Sequence, residues 1–241
     1  MGARYSLLAA STLALGATAE FVAGTTDECY DHVPQCAQWA REGQCQRNLG
    51  YMMLHACRVS CGSCRLDAAD VSPIAIVHES FMTRPREMGS CALPVPKTRL
   101  RWGVDADEAA RLGCHTRHEP ESRGSWLNPK QLWQALERAA QTQREVTFYD
   151  TTSSKPLFVV PRNRTMGDFM VHSREQGYLT FNDEELVLDN LRQVRHSRGE
   201  IVSVDGAHLG HNNPAETGSR YHVNHVAVAG MPPSRGVKDE L

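Results

Sequence analysis

The sequence predicts an α+β protein, a small disulfide-rich helical module followed by a mostly antiparallel β domain. Three observations carry that expectation. Six of the 8 cysteines fall between residues 29 and 64. Strand candidates joined by turn signals run from residue 145 to residue 229, with one capped helix before them and another among them. The chain of 241 residues is 41% hydrophobic and carries 26 basic against 28 acidic side chains, which excludes a disordered tail and a basic nucleic-acid binder.

Arg4 precedes an apolar run from Tyr5 to Ala17, and Ala17-Thr18-Ala19 places small residues at both positions that specify cleavage. This is a secretory signal peptide pattern over residues 1–19. The run is well short of the roughly 20 residues that a membrane span needs. At the other end, Lys238-Asp239-Glu240-Leu241 is the retrieval tetrapeptide of the endoplasmic reticulum. The two ends predict a lumenal protein with no membrane span, served by the retrieval receptor. In that oxidising compartment disulfides persist, and Asn163-Arg164-Thr165 is a glycosylation candidate at Asn163.

Between the ends, Cys29, Cys36, Cys45, Cys57, Cys61 and Cys64 stand in a segment too short to bury a core, so covalent staples must replace one. Spacing alone leaves fifteen connectivities open. Cys61-Gly62-Ser63-Cys64 also has metal-ligand spacing, which leaves a zinc site as the competing reading. With Asp31, Trp39-Ala40, Gly43 and Tyr51-Met52 as flanking residues, residues 29–64 closely resemble the ShKT family, named for a sea-anemone channel toxin. The resemblance implies the pairs Cys29 with Cys64, Cys36 with Cys57 and Cys45 with Cys61. The pore-plugging lysine of that toxin class has no counterpart in this chain, and the module reads as a recognition or stability element.

Residues 65–125 carry scattered prolines and no sustained period, and read as a loop-rich linker with a short helix near Asp105 to Leu112. Cys91 and Cys114 lie there. They either pair with each other or form a redox couple. Asn128-Pro129 opens a helix that runs to about Gln143. Glu145 to Tyr149 and Pro156 to Val160 form a hairpin, and Thr165 to Gln176 is a helix stopped by Gly177. Glu185 to Val194, Glu200 to Val204 and Arg220 to Ala229 are further strands, with Asp205-Gly206 turning after the second of these.

Four blocks recur in order across this region: Pro156-Leu157-Phe158, Gly177-Tyr178-Leu179-Thr180-Phe181, His208-Leu209-Gly210-His211 and Arg220-Tyr221-His222-Val223-Asn224. Residues 126–230 resemble the methionine-R-sulfoxide reductase family. The resemblance implies two small antiparallel sheets and reduction of oxidised protein clients through a cysteine nucleophile, with an external thiol as reductant. It also implies that His208, His211, Asn224 and the residue at 222 are the catalytic set, with Tyr178 and Phe181 lining the substrate pocket. The nucleophile's position is His222, which cannot form a sulfenic acid, so the chain is expected to be divergent or inactive. The family's zinc-binding positions hold Asp150, Ser153, Val202 and Asp205, so no structural zinc or other cofactor is expected.

Alternation places His222 and Asn224 on one face of their strand and His225 on the other. Three functional readings follow: a reductase with a thiol relocated from Cys91 or Cys114, a non-catalytic binding protein for oxidised or unfolded clients, and a metal centre on His208, His211 and His222.

Overall fold

The computed structural model describes residues 29–47, 52–66, 72–84, 86, 88–98, 100–117, 119–197, 199–214 and 219–233. The leader at 1–19 and the retrieval tetrapeptide at 238–241 lie outside the described residues. In the small module, α1 (Cys36–Arg41) and α2 (Gln44–Arg47) pack with a π-type turn at Met52–Ala56. Disulfides join Cys29 to Cys64, Cys36 to Cys57 and Cys45 to Cys61. Cys61 and Cys64 are therefore consumed in separate bridges, and the zinc reading of that pair is ruled out. Asp31 ties the module's start to its end by accepting from the backbone N–H groups of Val59 and Ser60, both at 3.0 Å. Cys36, Cys45, Met52, Ala56 and Cys57 make up its small buried core.

The larger domain is a six-stranded sheet and a separate hairpin. In chain order the strands are β1 (Ile76–Val77), β2 (Val146–Tyr149), β3 (Pro156–Val160), β4 (Leu179–Phe181), β5 (Leu191–Val194), β6 (Glu200–Ser203), β7 (His208–Asn212) and β8 (Tyr221–Val223). The large sheet has the order β1-β5-β6-β7-β8-β4, antiparallel throughout except for the β1/β5 edge pair, and β2 with β3 forms the antiparallel hairpin.

The helices are α3 (Ala106–Ala110), α4 (Lys130–Thr142) and α5 (Met166–Gln176). Thr165 caps α5 in a reciprocal box with Asp168, and Gly177 ends the helix in the left-handed region at φ 81°. In α4 the cap position is Pro129 rather than Asn128, and Leu132, Leu136 and Ala139 form the buried stripe. The strand expected from Glu185 to Val194 holds only its second half, because 3-10 turns occupy Asp183–Glu185 and Leu188–Asn190. The strand expected from Arg220 to Ala229 ends at Val223 and gives way to a 3-10 turn at His225–Val228.

One face of the sheet is the main core. Phe158 stacks on Phe181 with ring centroids 4.1 Å apart, and Phe148 and Phe169 close the cluster. Segment 72–117 is docked against this domain. Ile74, Cys91, Trp102, Leu112 and Cys114 are buried in the same core, and Cys91 is bonded to Cys114.

The sheet depends on one irregularity. Val202 pairs with His208 and Ile201 with Gly210, so β7 carries Leu209 as an extra residue against β6. Gly210 adjoins this bulge at φ 154°, and a Cβ there would overlap the carbonyl oxygen of His222 on β8. Gly210→Ala is expected to destabilise the chain by about 1–3 kcal/mol in denaturant titration; an unchanged midpoint would contradict the close approach. Cys36→Ser removes a bridge closing 21 residues of chain and should cost the module about 3 kcal/mol. Limited proteolysis should then cut within 29–64 while the larger domain stays intact.

Candidate functional site

The bulge decides which histidines meet. His208 and His211 are three positions apart, so regular alternation would send them to opposite faces. The extra residue at 209 brings them to the same face, with ring centroids 5.3 Å apart and nearly perpendicular. Cross-strand pairing extends the row: His211 lies opposite both Glu200 on β6 and His222 on β8, and His222 lies opposite Thr180 on β4. This polar face is the reverse of the phenylalanine core.

Each end of the row has its own electrostatics. At the β6 end His208 and Glu200 are both buried, and Nδ1 of His208 donates to Oε1 of Glu200 at 2.9 Å. That fixes the protonated nitrogen of the neutral ring at Nδ1 and leaves Nε2 as an acceptor. Arg117 grips the same carboxylate through Nε at 3.0 Å and through Nη2, and reaches Glu79 through Nη1 at 2.6 Å. Burial alone would raise the Glu200 carboxyl, but the hydrogen bonds from His208 and Arg117 outweigh it and hold the group at about 2.

At the β8 end the balance is reversed. Tyr178 stacks on His222 with centroids 5.7 Å apart and 19° between planes. Burial, then the charges of Arg220, His172 and Arg123, pushes the His222 imidazole down to about 4, so the ring is neutral at physiological pH. Its Nε2 is buried without a hydrogen-bond partner.

A third cluster lies beyond the end of β8. Glu121 donates its backbone N–H to Oδ1 of Asn224 at 3.1 Å, which orients the amide, and its Oε2 accepts from both Nδ1 and the backbone N–H of His225, at 2.6 and 3.0 Å. The expectation that His225 faces away from Asn224 fails because the strand ends at Val223, and one glutamate binds both residues. Oε1 of Glu121 and Nδ2 of Asn224 are also buried without partners. A bound polar group would complete these open positions of the Glu121 cluster and the one on His222.

Of the expected site residues, His208, His211, His222 and Tyr178 are brought together. Phe181 is not. It lies opposite Tyr221 on the core face and is fully buried among phenylalanines, because alternation sends it away from Thr180. Among the described residues no three His, Cys, Asp or Glu side chains are placed to hold a metal ion. His208, His211 and His222, the expected alternative centre, form no such group. The turn holding Asp150 and Ser153 is joined to the turn after β6 by Lys155, whose Nζ donates to Oδ1 of Asp205 at 3.0 Å. Asp150 folds back on its own turn, accepting from the backbone N–H of Thr152 at 2.7 Å. Asn163, the glycosylation candidate, is exposed.

All eight cysteines are in disulfides, so a thiol relocated from Cys91 or Cys114 is not present. Sequence reasoning missed Glu200, Arg117 and Glu121, the groups that orient the imidazoles. Glu200, a lone carboxylate opening an apolar strand beside a histidine-bearing turn, was the one available signal.

Residues 28–64 match the family model described as ShK domain-like. No curated protein and no solved structure matches the chain. Among the described residues no helix is long and apolar enough to cross a membrane.

Glu200→Gln should lower stability by about 3–5 kcal/mol, because it leaves the Arg117 guanidinium without its buried counter-charge. The folded carboxyl titrates at about 2 against an ordinary 4.5. The contribution of Glu200 is therefore complete above about pH 4.5 and is lost as pH falls towards 2. His222, at about 4 against 6.5, takes up its proton later in the folded chain than in the unfolded one. Its share of stability therefore declines as pH falls from 6.5 to 4. Thermal unfolding across that window should show a shallower decline for His222→Asn than for the wild type; parallel profiles would contradict the assignment.

Proposed function

We propose that the chain is a non-catalytic binding protein of the endoplasmic reticulum lumen, whose histidine face holds a sulfoxide-type polar group of client proteins without reducing it. The observation that carries this reading is chemical. The residue at the nucleophile's position of the family that 126–230 resembles is His222, and every cysteine is tied in a disulfide. Sulfoxide reduction needs a thiolate that accepts the oxygen as a sulfenic acid and a second thiol that resolves it. An imidazole supplies neither step. Imidazole N–H groups do suit the strongly accepting sulfoxide oxygen, and the stacked Tyr178 offers an apolar wall for the methyl group. The leader pattern and the terminal Lys238-Asp239-Glu240-Leu241 support the compartment. The ShK domain-like module supplies a second contact surface, with Tyr30 and Val59 about half exposed on it.

The test is a methionine-R-sulfoxide peptide offered to the mature chain with dithiothreitol, with Cys91→Ser and Cys114→Ser variants alongside. Saturable binding without turnover, lost in His211→Ala and His222→Ala, is expected. Turnover abolished by either cysteine substitution would overturn the reading and identify a working reductase. His222→Cys should gain turnover, since it restores the thiol beside an intact row of imidazoles.

A further inference from the structure

We propose that the β8 end of this face is an anion subsite, in which Arg220, Arg123 and His172 gather beside His222 to bind a tetrahedral oxyanion, a phosphate or sulfate group of a ligand. The inference rests on reading this face as a ligand pocket, but not on a sulfoxide as its occupant.

Three separate elements deliver the two guanidiniums and the His172 ring. Arg220 stands immediately ahead of β8, two residues before His222, and its charge acts on that ring. Its Nε donates to the backbone oxygen of Asn213 at 3.4 Å, and burial holds the guanidinium below its ordinary value. Arg123 arrives from the segment before α4. Its stem lies across Gly177, where any Cβ would overlap it, while the backbone N–H of Gly124 donates to the oxygen of Gly177 at 2.8 Å. That pins the stem of Arg123 next to Tyr178, the ring stacked on His222, while its Nη2 donates to the backbone oxygen of Glu175 at 2.8 Å. His172 comes from α5. Nη1 of Arg164 lies 3.2 Å from its Nδ1, and because a guanidinium only donates, Nδ1 must accept and the proton of the neutral ring resides on Nε2.

The contrast with Arg164 and Arg117 gives the subsite its chemistry. Arg164 is neutralised by Glu185, and Arg117 by Glu200 and Glu79. Among the described residues, no carboxylate is paired with Arg220 or Arg123. Burial, then the charges of Arg164 and Arg220, outweighs Glu175 and holds the His172 imidazole below its ordinary value. The result is two guanidiniums and the His172 ring acting on His222, whose Nε2 is unpartnered, with positive potential left unbalanced. The partly desolvated Arg220 without counter-charge is costly, and an anion recovers that cost through charge-assisted hydrogen bonds that the exposed Arg123 can join. Donors arriving from a strand, a loop and a helix do not share a plane, which suits a tetrahedral group better than a planar carboxylate.

Isothermal titration of the full mature chain with inorganic phosphate, at constant ionic strength in chloride, tests this. One site saturating below about 10 mM is expected, with affinity reduced at least about tenfold in Arg220→Gln and in Arg123→Gln. Arg138→Gln, an exposed position on α4, should leave it unchanged. Near-ultraviolet circular dichroism checks each fold. Should Arg220→Gln misfold, the exposed Arg123 decides. Sulfate should compete and acetate should not; acetate competing as well as sulfate would overturn the tetrahedral assignment. Absence of phosphate binding, or binding undiminished in both variants, would overturn the subsite. Phosphate failing while the sulfoxide peptide still binds would leave the function proposed above standing, and the reverse result would replace its ligand.

Discussion

A single extra residue in β7 organises the polar face. With Leu209 accommodated as a bulge, His208 and His211 come to one side of the sheet and line up with Glu200 and His222 across three strands. Without it, one of those imidazoles would be turned into the phenylalanine core, where nothing could satisfy it. Gly210 makes the arrangement sterically feasible, because β7 passes so close to the backbone of His222 that no side chain fits between. The chemistry of the face is thus set by backbone geometry as much as by the side chains that display it.

Charge is distributed unevenly along that face. At the β6 end, Arg117 and His208 surround Glu200, and Glu79 completes a closed network in which each buried charge has a partner. Arg164 and Glu185 form a second such pair, which also holds the carbonyl oxygen of Thr180 and so anchors β4 to the loop before α5. Buried pairs of this kind add little net stability compared with apolar packing, but breaking one is expensive, so they fix geometry. At the β8 end the cations around His222 lack that compensation. His222, whose imidazole is held at about 4, is therefore also a ring beside unbalanced positive charge.

The elements most legible in the sequence were those with local signatures. Thr165 to Gln176 carries its own cap at each end, and the β2/β3 hairpin brackets turn residues. The module's cysteine spacing was legible through its resemblance, and the three expected bridges formed. What escaped was non-local. β4 and β7 are too short and too rich in Gly, His and Thr to show a period. The bulge at Leu209 has no sequence mark. Glu121 meets His225 across 104 positions of sequence, and no periodicity argument spans that gap. Residues 72–117 look like a linker because their buried residues are scattered, yet Trp102, Leu112 and the Cys91–Cys114 bridge lie in the main core.

The most direct test of the account is nitrogen-15 NMR of the histidine rings, recorded on labelled full-length chain at about pH 5.5 with and without the sulfoxide peptide and inorganic phosphate. The account predicts a neutral His222, a His208 ring protonated at Nδ1, and shifts on ligand addition confined to the row His208, His211, His222 and its neighbour His172. A His222 ring that titrates at its ordinary value, and ring signals indifferent to both ligands, would contradict the claim that this face is a ligand pocket.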